Sequence, residues 1–377
     1  MRFPLAEVSE PLSGTKKVNG KALRCISNKL ILTSNQKLII DDWFFVYRWV
    51  YNGALKLRKK DNTLTSLPKL RRAFLKEMKD QQTYFWRICS SHILSEAISD
   101  VCKSYKTCWS HVKLGLIRRF RVRYKKLHKP LQTICIPSSM FSKRHNSFCF
   151  KKLGIIKSEF SLKGQPQACR LTRDSRRNLY ILNMPCQKET YEMKDRKKIC
   201  SLDPGIRTFQ TLYSKDHVHE FGKNTYKKIG GILKRISRAK GSAEKFTNRL
   251  YDRAKNIIKD MQWKTALKLV QSFDTILVGN MSTKSICRGR LNKKTKSIAM
   301  MFSHYTFNCR LMEKAAQYGS KVIIVDEAWT SKTCGGCTTK NMNLGASKIF
   351  TCESCNFVWD RDFNGARNIM KRYYGLI

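Results

Sequence analysis

IIVDEAWTSKTCGGC, residues 323–337, opens as a β-branched apolar run, delivers adjacent carboxylates at Asp326 and Glu327, and begins a Cys-x-x-Cys pair within seven residues of the second acid. The apolar run reads as a buried strand. Strands and helices alternate before it: KKICSLDPGIRTFQTLYS (197–214) reads as strand and hairpin, 223–272 as helix, DTILVG (274–279) as strand and SIAMMFSHYTFNCRLMEKAAQYG (297–319) as helix. The run itself, SKVIIVDE (320–327), is the next strand, and DFNGARNIMKRYY (362–374) closes the chain as a helix. The pattern predicts an α/β core with a cysteine-rich excursion before its last helix.

That excursion holds Cys334, Cys337, Cys352 and Cys355 in the spacing C-x2-C-x14-C-x2-C. Four thiolates so spaced suit tetrahedral Zn2+ and leave no open position for water, which makes the expected site structural. A redox Cys-x-x-Cys pair or two disulfides are the alternatives. Most of the other cysteines, among them Cys25, Cys89, Cys102, Cys149, Cys169, Cys186 and Cys309, stand singly in contexts that read as core positions. An odd total of 15 and no secretory leader in MRFPLAEVSEPLSG argue for reduced thiols and an intracellular protein.

Lys and Arg number 75 against 27 Asp and Glu, a formal charge of +48, in a chain that is 42% hydrophobic and 11% aromatic. Such a charge on a foldable chain asks for a polyanion, and nucleic acid is the expected partner. No stretch reaches the roughly 18 apolar residues of a membrane span. RGRLNKKTK (288–296) has the composition of a nuclear signal, which makes a nuclear location plausible in a eukaryotic or viral setting. The length of 377 residues suits two or three compact units.

The N-terminal half reads differently. KLILTSNQKLIIDDWFFVYRWVYNGALKLRKK (29–60) predicts a strand and then a helix capped by Thr33 or Ser34, with Leu38, Ile39, Trp43, Val46, Val50 and Leu55 on its apolar face. Helix continues from 66 to about 121, with Leu67, Leu70, Phe74, Phe85, Ile88, Ile93, Ala97 and Val101 as core positions. Residues 130–196 alternate short apolar runs with Gly, Pro and Ser turns and predict a small β-barrel. In 223–272 the apolar side carries Ile229, Leu233, Ile236, Phe246, Leu250, Ile257, Met261 and Leu267 opposite dense Lys and Arg.

Two further acids stand out. Asp203, in ICSLDPGIRTF, sits where a buried strand meets Pro204 and Gly205; it is either a turn residue or a carboxylate that needs a cation. Asp362 precedes the closing helix, where a plain N-cap would also be acidic. Acids on adjoining elements of one α/β core are what two Mg2+ ions require for phosphodiester hydrolysis.

The ordered series SLDPG (201–205), TSKTCGGC (330–337), CESC (352–355) and DRDFNGARNI (360–369) resembles the RuvC-like nuclease and zinc ribbon of TnpB, the transposon-encoded RNA-guided nuclease family related to type V CRISPR effectors. LTSNQKLIIDDWFFVYRWVYNGAL (32–55), with Gln36, Arg48, Tyr51 and Asn52, is similar to that family's opening helix. The resemblance runs from about 29 to 372 and thins between 60 and 190. The family usually carries its second acid as a Glu at the end of the strand that here reads DTILVGNMST, where Gly279, Asn280 and Met281 offer no carboxylate. Fanzor proteins, the eukaryotic and viral relatives, often place that acid before the zinc ribbon as E-x-x-T-S-K-T-C, which Glu327 to Cys334 matches.

The resemblance implies an α+β multidomain protein: an RNase H-like (RuvC) mixed α/β nuclease at 197–330 and 358–377 and a zinc ribbon at 331–357. It further implies a β-barrel wedge at 1–33 and 128–196, and a helical recognition insertion at 34–127. It implies an RNA-guided DNA endonuclease, expected as a monomer, with a guide RNA, double-stranded target DNA, a structural Zn2+ and two catalytic Mg2+. Asp203 would bridge the Mg2+ ions, Glu327 hold one and Asp362 the other. If the strand persists there, alternation sends Asp326 and Glu327 to opposite sides, so Asp326 is expected at the surface or in a salt bridge, the reverse assignment being the alternative. By the same matching Asp360 is peripheral, Asn364 and Arg367 support the site or contact phosphate, and Thr330, Ser331 and Lys332 either touch the substrate strand or form the turn into the knuckle. A nuclease-dead guided binder and an unguided RuvC-like nuclease or transposase accessory protein are the rival readings.

Overall fold

The computed structural model describes residues 23–78, 87–142, 144–158, 167–187, 190–191, 193, 195–239, 244–343, 345 and 347–377. Residues 1–22 of the expected wedge, and the expected core position Phe85, lie outside the described residues. The chain divides into two compact units, Leu23–Gln187 and Lys188–Ile377 with Met1–Ala22.

In the first unit, strand β1 (Leu23–Ile31) leads into the long helix α1 (Ser34–Lys60), followed by α2 (Leu67–Glu77) and α3 (Ser91–Lys113). Thr33 is the N-cap of α1: its hydroxyl accepts from the Gln36 amide N–H at 3.3 Å, and the Gln36 side chain accepts in return from the Thr33 N–H at 3.0 Å. This reciprocal box satisfies two N–H groups that a helix start leaves bare. Ile40, Trp43, Tyr47, Val50 and Ala54 recur at three and four residues and are buried. Leu38 lies about 200° around the helix from Ile40, so it is 67% exposed and not in the core as its apolarity suggested. Leu67 is likewise exposed and Ile88 only half-buried.

The rest of the unit is β2 (Leu131–Ile136), a small hairpin of β3 (Phe141–Ser142) and β4 (Ser147–Phe148), the one-turn helix α4 (Phe150–Leu153), β5 (Lys157–Ser158), β6 (Cys169–Asp174) and β7 (Leu179–Gln187). The main sheet runs β2-β6-β7-β1-β5, antiparallel throughout. Among the described residues this is an open sheet and not the barrel expected from its turn-punctuated strands. The physical reason is the helices: Ile134, Leu171 and Leu182 of the sheet share one core with Trp43, Tyr47, Ile93 and Val101. With helices covering its apolar face, the sheet has no need to close on itself.

One buried polar cluster stands inside this unit. Arg170 donates to both oxygens of Asp100 at 2.8 Å each, and the Tyr47 hydroxyl donates to Asp100 Oδ2 at 2.8 Å. Burial pushes the Asp100 carboxyl up, but the hydrogen bonds and charge of Arg170 outweigh it and hold the group below the ordinary carboxylate value.

The second unit is built on a mixed sheet. β8 (Lys197–Pro204), β9 (Gln210–Ser214) and β10 (His217–Phe221) form an antiparallel meander; α5 (Thr225–Arg238) and α6 (Glu244–Ser272) lead to β11 (Phe273–Gly279). Then α7 (Thr283–Arg288), α8 (Lys293–Phe302) and α9 (His304–Tyr318) lead to β12 (Lys321–Val325). The order is β10-β9-β8-β11-β12, with β8, β11 and β12 parallel, as an RNase H-like sheet requires. The segment 297–319, expected as one helix, breaks at Ser303, whose φ of 46° is left-handed. Gln262 Nε2 there donates to the Phe302 carbonyl, which caps the end of α8.

Past β12 the chain makes the short hairpin β13 (Ile349–Thr351) and β14 (Val358–Asp360) and ends in α10 (Arg361–Tyr373). Helices α6, α8 and α9 cover one face of the sheet through Ala266, Leu269, Ile298, Phe307 and Leu311, while α10 lays Ile369 against Leu277 and Val325 on the other. Both faces of the parallel strands are thus buried, which is why their sequences read as continuous apolar runs. On the side read as apolar in 223–272, Ile229 and Leu250 are buried, Leu233, Ile236, Ile257 and Met261 are half-buried and pack against this core, Leu267 is half-buried, and Phe246 is exposed. Cys25 is exposed, and Cys102, Cys186 and Cys309 are half-buried, so only Cys89, Cys149 and Cys169 of the cysteines expected in the core are fully inside. Among the described residues no helix is long and apolar enough to cross a membrane.

Candidate active site and metal centre

The carboxyl ends of β8, β11 and β12 lie side by side, Leu202 beside Val278 and Gly279 beside Val325. In α/β sheets that edge is where ligands bind. Asp203 is the last residue but one of β8, and Glu327 follows β12 by two residues. Asp362 is the second residue of α10. The N-cap of that helix is Asp360, whose Oδ1 accepts from the Asp362 and Phe363 N–H groups at 2.8 and 3.3 Å. Capping is therefore done by the peripheral acid, and the Asp362 carboxylate is left for something else.

Two glycines make the convergence possible. A Cβ at Gly365 would stand 2.4 Å from Asp203 Oδ2, so only glycine lets α10 come this close to the strand end. Ser201 fixes the approach by donating to the Ala366 carbonyl at 2.6 Å. A Cβ at Gly279 would stand 2.9 Å from Glu327 Oε2 and 3.0 Å from both Pro204 Cδ and Ile369 Cδ1. The carboxylate of Glu327 thus occupies the space into which a side chain at 279 would start.

The electrostatics agree with the geometry. Burial, then the charges of Glu327 and Asp362, push the Asp203 carboxyl well above its ordinary value, against the opposing pull of Arg361. Burial and then Asp326 push Glu327 up to about 7. Burial and then Asp360 raise Asp362, against Arg361, Lys348 and Arg207. Among the described residues none of the three carboxylates has a hydrogen bond or an ion pair. Desolvated acids that repel one another, with cations acting on them only at a distance and none paired to them, form a donor set suited to hard divalent ions. They are not drawn tight: among the described residues, the cysteine quartet is the group whose ligand atoms all lie within 4.8 Å of one another. Ligands divided between two ions ~4 Å apart stand wider than ligands of one.

Asp326 faces away. Its Oδ2 pairs with Arg372 Nη2 at 2.8 Å and its side chain is largely exposed, while Glu327 turns toward Asp203. The strand has ended at Val325, so it is the turn that follows, with the Ala328 N–H on Asp326 Oδ1 at 3.3 Å, and not strand alternation, that separates the two neighbours.

At the other end of the TSKTCGGC stretch, Cys334 and Cys355 Sγ lie 3.6 Å apart, as do Cys337 and Cys352 Sγ. Tetrahedral Zn–S bonds of about 2.3 Å require S···S separations of ~3.8 Å, so the quartet fits a zinc ribbon. The Gly336 N–H donates to Cys334 Sγ at 3.3 Å, and Phe350 packs beneath with Phe357.

Asn364 and Asn368 tie this knuckle to α10, and both are fully buried. Asn364 Oδ1 accepts from the Gly335 N–H at 2.8 Å and its Nδ2 donates to the Thr333 carbonyl at 2.8 Å. Asn368 Nδ2 donates to the Thr330 and Thr333 carbonyls at 2.8 and 2.6 Å. Asn364 is thus a backbone clamp and not a phosphate contact, and Thr330, buried with its hydroxyl on the Glu327 carbonyl at 2.8 Å, is a turn residue. Arg367 leans on the Phe357 and Trp359 rings. Asn368 lies within DRDFNGARNI but is not among the residues to which the motif gives a role. The signal was there, since two amides four residues apart on a helix with an apolar face are costly unless both find partners.

Residues 304–369 match the family model described as "Cas12f1-like, TNB domain", and residues 24–61 match a helix-turn-helix domain, a stretch that folds here as β1 and the single helix α1. A TnpB-like protein of Acanthamoeba polyphaga mimivirus is 30% identical over 391 residues, covering 94% of this chain and 75% of that protein. A Streptomyces pristinaespiralis protein provisionally named an RNA-guided DNA endonuclease is 23% identical over 369 residues, covering 92% and 88%. A solved Cas12f1–sgRNA–target DNA complex aligns at a TM-score of 0.37 and 14% identity over 92% of this chain and 98% of that one. These matches define a class, proteins related to RNA-guided DNA endonucleases. Within it, the chain belongs to the TnpB-like family.

Proposed function

We propose that this protein is an RNA-guided DNA endonuclease of the Fanzor type, which carries a guide RNA and cuts double-stranded target DNA. The observation that carries the reading is the Glu327 carboxylate seated 2.9 Å from where a side chain at Gly279 would begin, beside Asp203. A site that had decayed at position 279 would have no reason to refill that space with an acid from the loop after the next strand. The same observation weighs against a guided binder that no longer cuts.

Asp203, Glu327 and Asp362 would hold two Mg2+ ions, which when bound supply charge stabilisation and water activation for in-line displacement at phosphorus. The chain's own part is to keep these acids desolvated and to release protons from them as the cations arrive, Glu327 near neutral pH. Arg361, Lys348 and Arg207 act on Asp362 through charge and are placed to draw the phosphodiester toward it. The helices and sheet of Leu23–Gln187 would serve guide and target recognition, and the zinc ribbon would hold the loop that carries Glu327.

The test is cleavage by protein purified with its co-expressed RNA, on matched and mismatched DNA with Mg2+, comparing wild type with Glu327→Gln. Cutting that needs both the match and Glu327 is the expected result. Bound RNA with no cutting by the wild type would leave a guided binder, and cutting without bound RNA an unguided nuclease.

A further inference from the structure

Trp329 stands two residues beyond Glu327 and is the strangest residue in its loop. Its φ is 68°, in the left-handed region, and its side chain is 50% exposed. The Thr330 N–H donates to the Glu327 carbonyl at 3.2 Å, which closes a β-turn with Trp329 at its third position. Ala328 has no positive φ, so the turn is of type II, where that position is ordinarily Gly or Asn. A bulky aromatic there is strained, and strain retained beside an active site is a pointer to function.

The turn does not depend on the indole. What fixes it is the Trp329 backbone carbonyl, which accepts from the Lys332 N–H at 2.9 Å, the Thr333 N–H at 3.0 Å and the Thr333 hydroxyl at 2.9 Å. Any residue supplies that carbonyl. Above the ring stand two ammonium groups, Lys332 Nζ at 5.8 Å and Lys340 Nζ at 5.2 Å from its centroid. They are brought to the same place by the bridge between Thr333 and Lys340 and by the Asn341 N–H on the Lys332 carbonyl at 2.8 Å. A half-exposed indole with two ammonium groups against it is the chemistry that holds an unpaired nucleotide, the base taking the ring and the phosphates drawing the ammoniums.

We propose that Trp329 is a positioning residue that stacks an unpaired base of the DNA strand, with Lys332 and Lys340 on the flanking phosphates, and so presents that strand to Asp203, Glu327 and Asp362. The assignment of the strand rests on the nuclease reading above. The stacking itself does not, because it can be measured without cutting.

The experiment is fluorescence-anisotropy binding of oligodeoxythymidylate and oligouridylate to the full chain, without added Mg2+, for wild type and Trp329→Gly, with Tm recorded for both. Trp329→Gly is expected to bind the DNA probe about 5- to 100-fold more weakly while its Tm holds or rises, because glycine suits the turn. Lys332→Ala and Lys340→Ala are each expected to reduce the salt dependence of binding by roughly 0.7 in log–log slope. Unchanged affinity of Trp329→Gly overturns the proposal, and so does a loss confined to the RNA probe. Should Trp329→Gly lose stability, Trp329→Phe and Trp329→Leu decide: Phe binding near wild type with Leu weaker at equal Tm supports stacking, and equal binding by both overturns it. Normal stacking in a wild type that fails to cut would instead defeat the nuclease reading alone.

Discussion

Asp100 and Asp203 are both carboxylates withdrawn from water, and the fold surrounds them in opposite ways. Asp100 receives a two-pronged Arg170 and a Tyr47 hydroxyl, with Lys125 Nζ at 4.0 Å, and its carboxyl is held low. Asp203 is buried beside two more acids, and burial first and their charges second push its carboxyl high. Scarcity of cations does not explain the contrast in a chain with 75 Lys and Arg against 27 Asp and Glu. A carboxylate completed from within serves the fold; one left with its charge uncompensated is kept for a cation from outside.

The widest separation should come from removing each charge in turn. Asp100→Ala leaves the Tyr47 hydroxyl and a partly exposed Arg170 without their acceptor and is expected to cost about 1–3 kcal/mol, seen as a fall of roughly 5 °C in Tm. Asp203→Asn relieves repulsion instead: the Tm of metal-free protein should rise by about 2–4 °C, while guide-dependent cleavage falls on the order of 10^3-fold with RNA retained. If Asp203→Asn destabilises as Asp100→Ala does, the contrast collapses and Asp203 is a folding residue.

Gly279 tests the same cluster more gently. Gly279→Ala sets a methyl group against Glu327 Oε2, Pro204 and Ile369. The expected cost is about 1–3 kcal/mol in stability and, through displacement of the acid, about 10- to 100-fold in cleavage. Gly231→Ala is the control, since its Cβ meets nothing within 4 Å and it lies inside α5, where alanine is favoured by about 1 kcal/mol. Equal cleavage by both variants would separate position 279 from the acid.

What could be read from the sequence follows from how local each feature is. The cysteine spacing is a local constraint, and the quartet came together as read. The parallel strands were legible as apolar runs because both their faces are buried. The open sheet was not, because β1 pairs with β7 across more than 150 residues and strand patterns do not say whether helices will cover a sheet. Leu38 is apolar but sits on the outer side of α1, where angle on the helix and not apolarity decides exposure. The clamp by Asn364 and Asn368, and the left-handed Trp329, depend on backbone brought in from elsewhere in the chain. Sequence pattern carries only a cost there, an amide or an aromatic in an awkward position, and not what offsets it.

Proton linkage distinguishes a cation site from a merely strained cluster. Glu327 sits at about 7 in the fold against an ordinary 4.5, so between those values the folded protein holds a proton that the unfolded chain has lost. Its contribution is present below pH 4.5 and is lost as pH rises through about 7, so metal-free protein should weaken over that interval. Mg2+ takes the place of the proton, and at ten times its Kd should restore about 1.4 kcal/mol at pH 8 and much less at pH 5. Thermal unfolding with and without Mg2+ at the two pH values measures this. An equal shift at both would put the ion elsewhere, and Asp203→Asn should flatten the difference.

The smallest expected effect decides between neighbours. Asp326 and Arg372 form a pair with side-chain exposures of 62% and 31%, in which solvent screens most of the attraction. Asp326→Asn should therefore change stability by no more than about 1 kcal/mol. It also removes a like charge that, after burial, raises Glu327, so the Glu327 carboxyl should titrate lower and cleavage below neutral pH should hold or improve slightly. Guide-dependent cleavage at pH 8 should equal that of the wild type, where Glu327→Gln abolishes it. The reverse outcome, loss with Asp326→Asn and survival with Glu327→Gln, would move the acid to the outward face of the strand and leave the space beside Gly279 filled by a residue without a catalytic task.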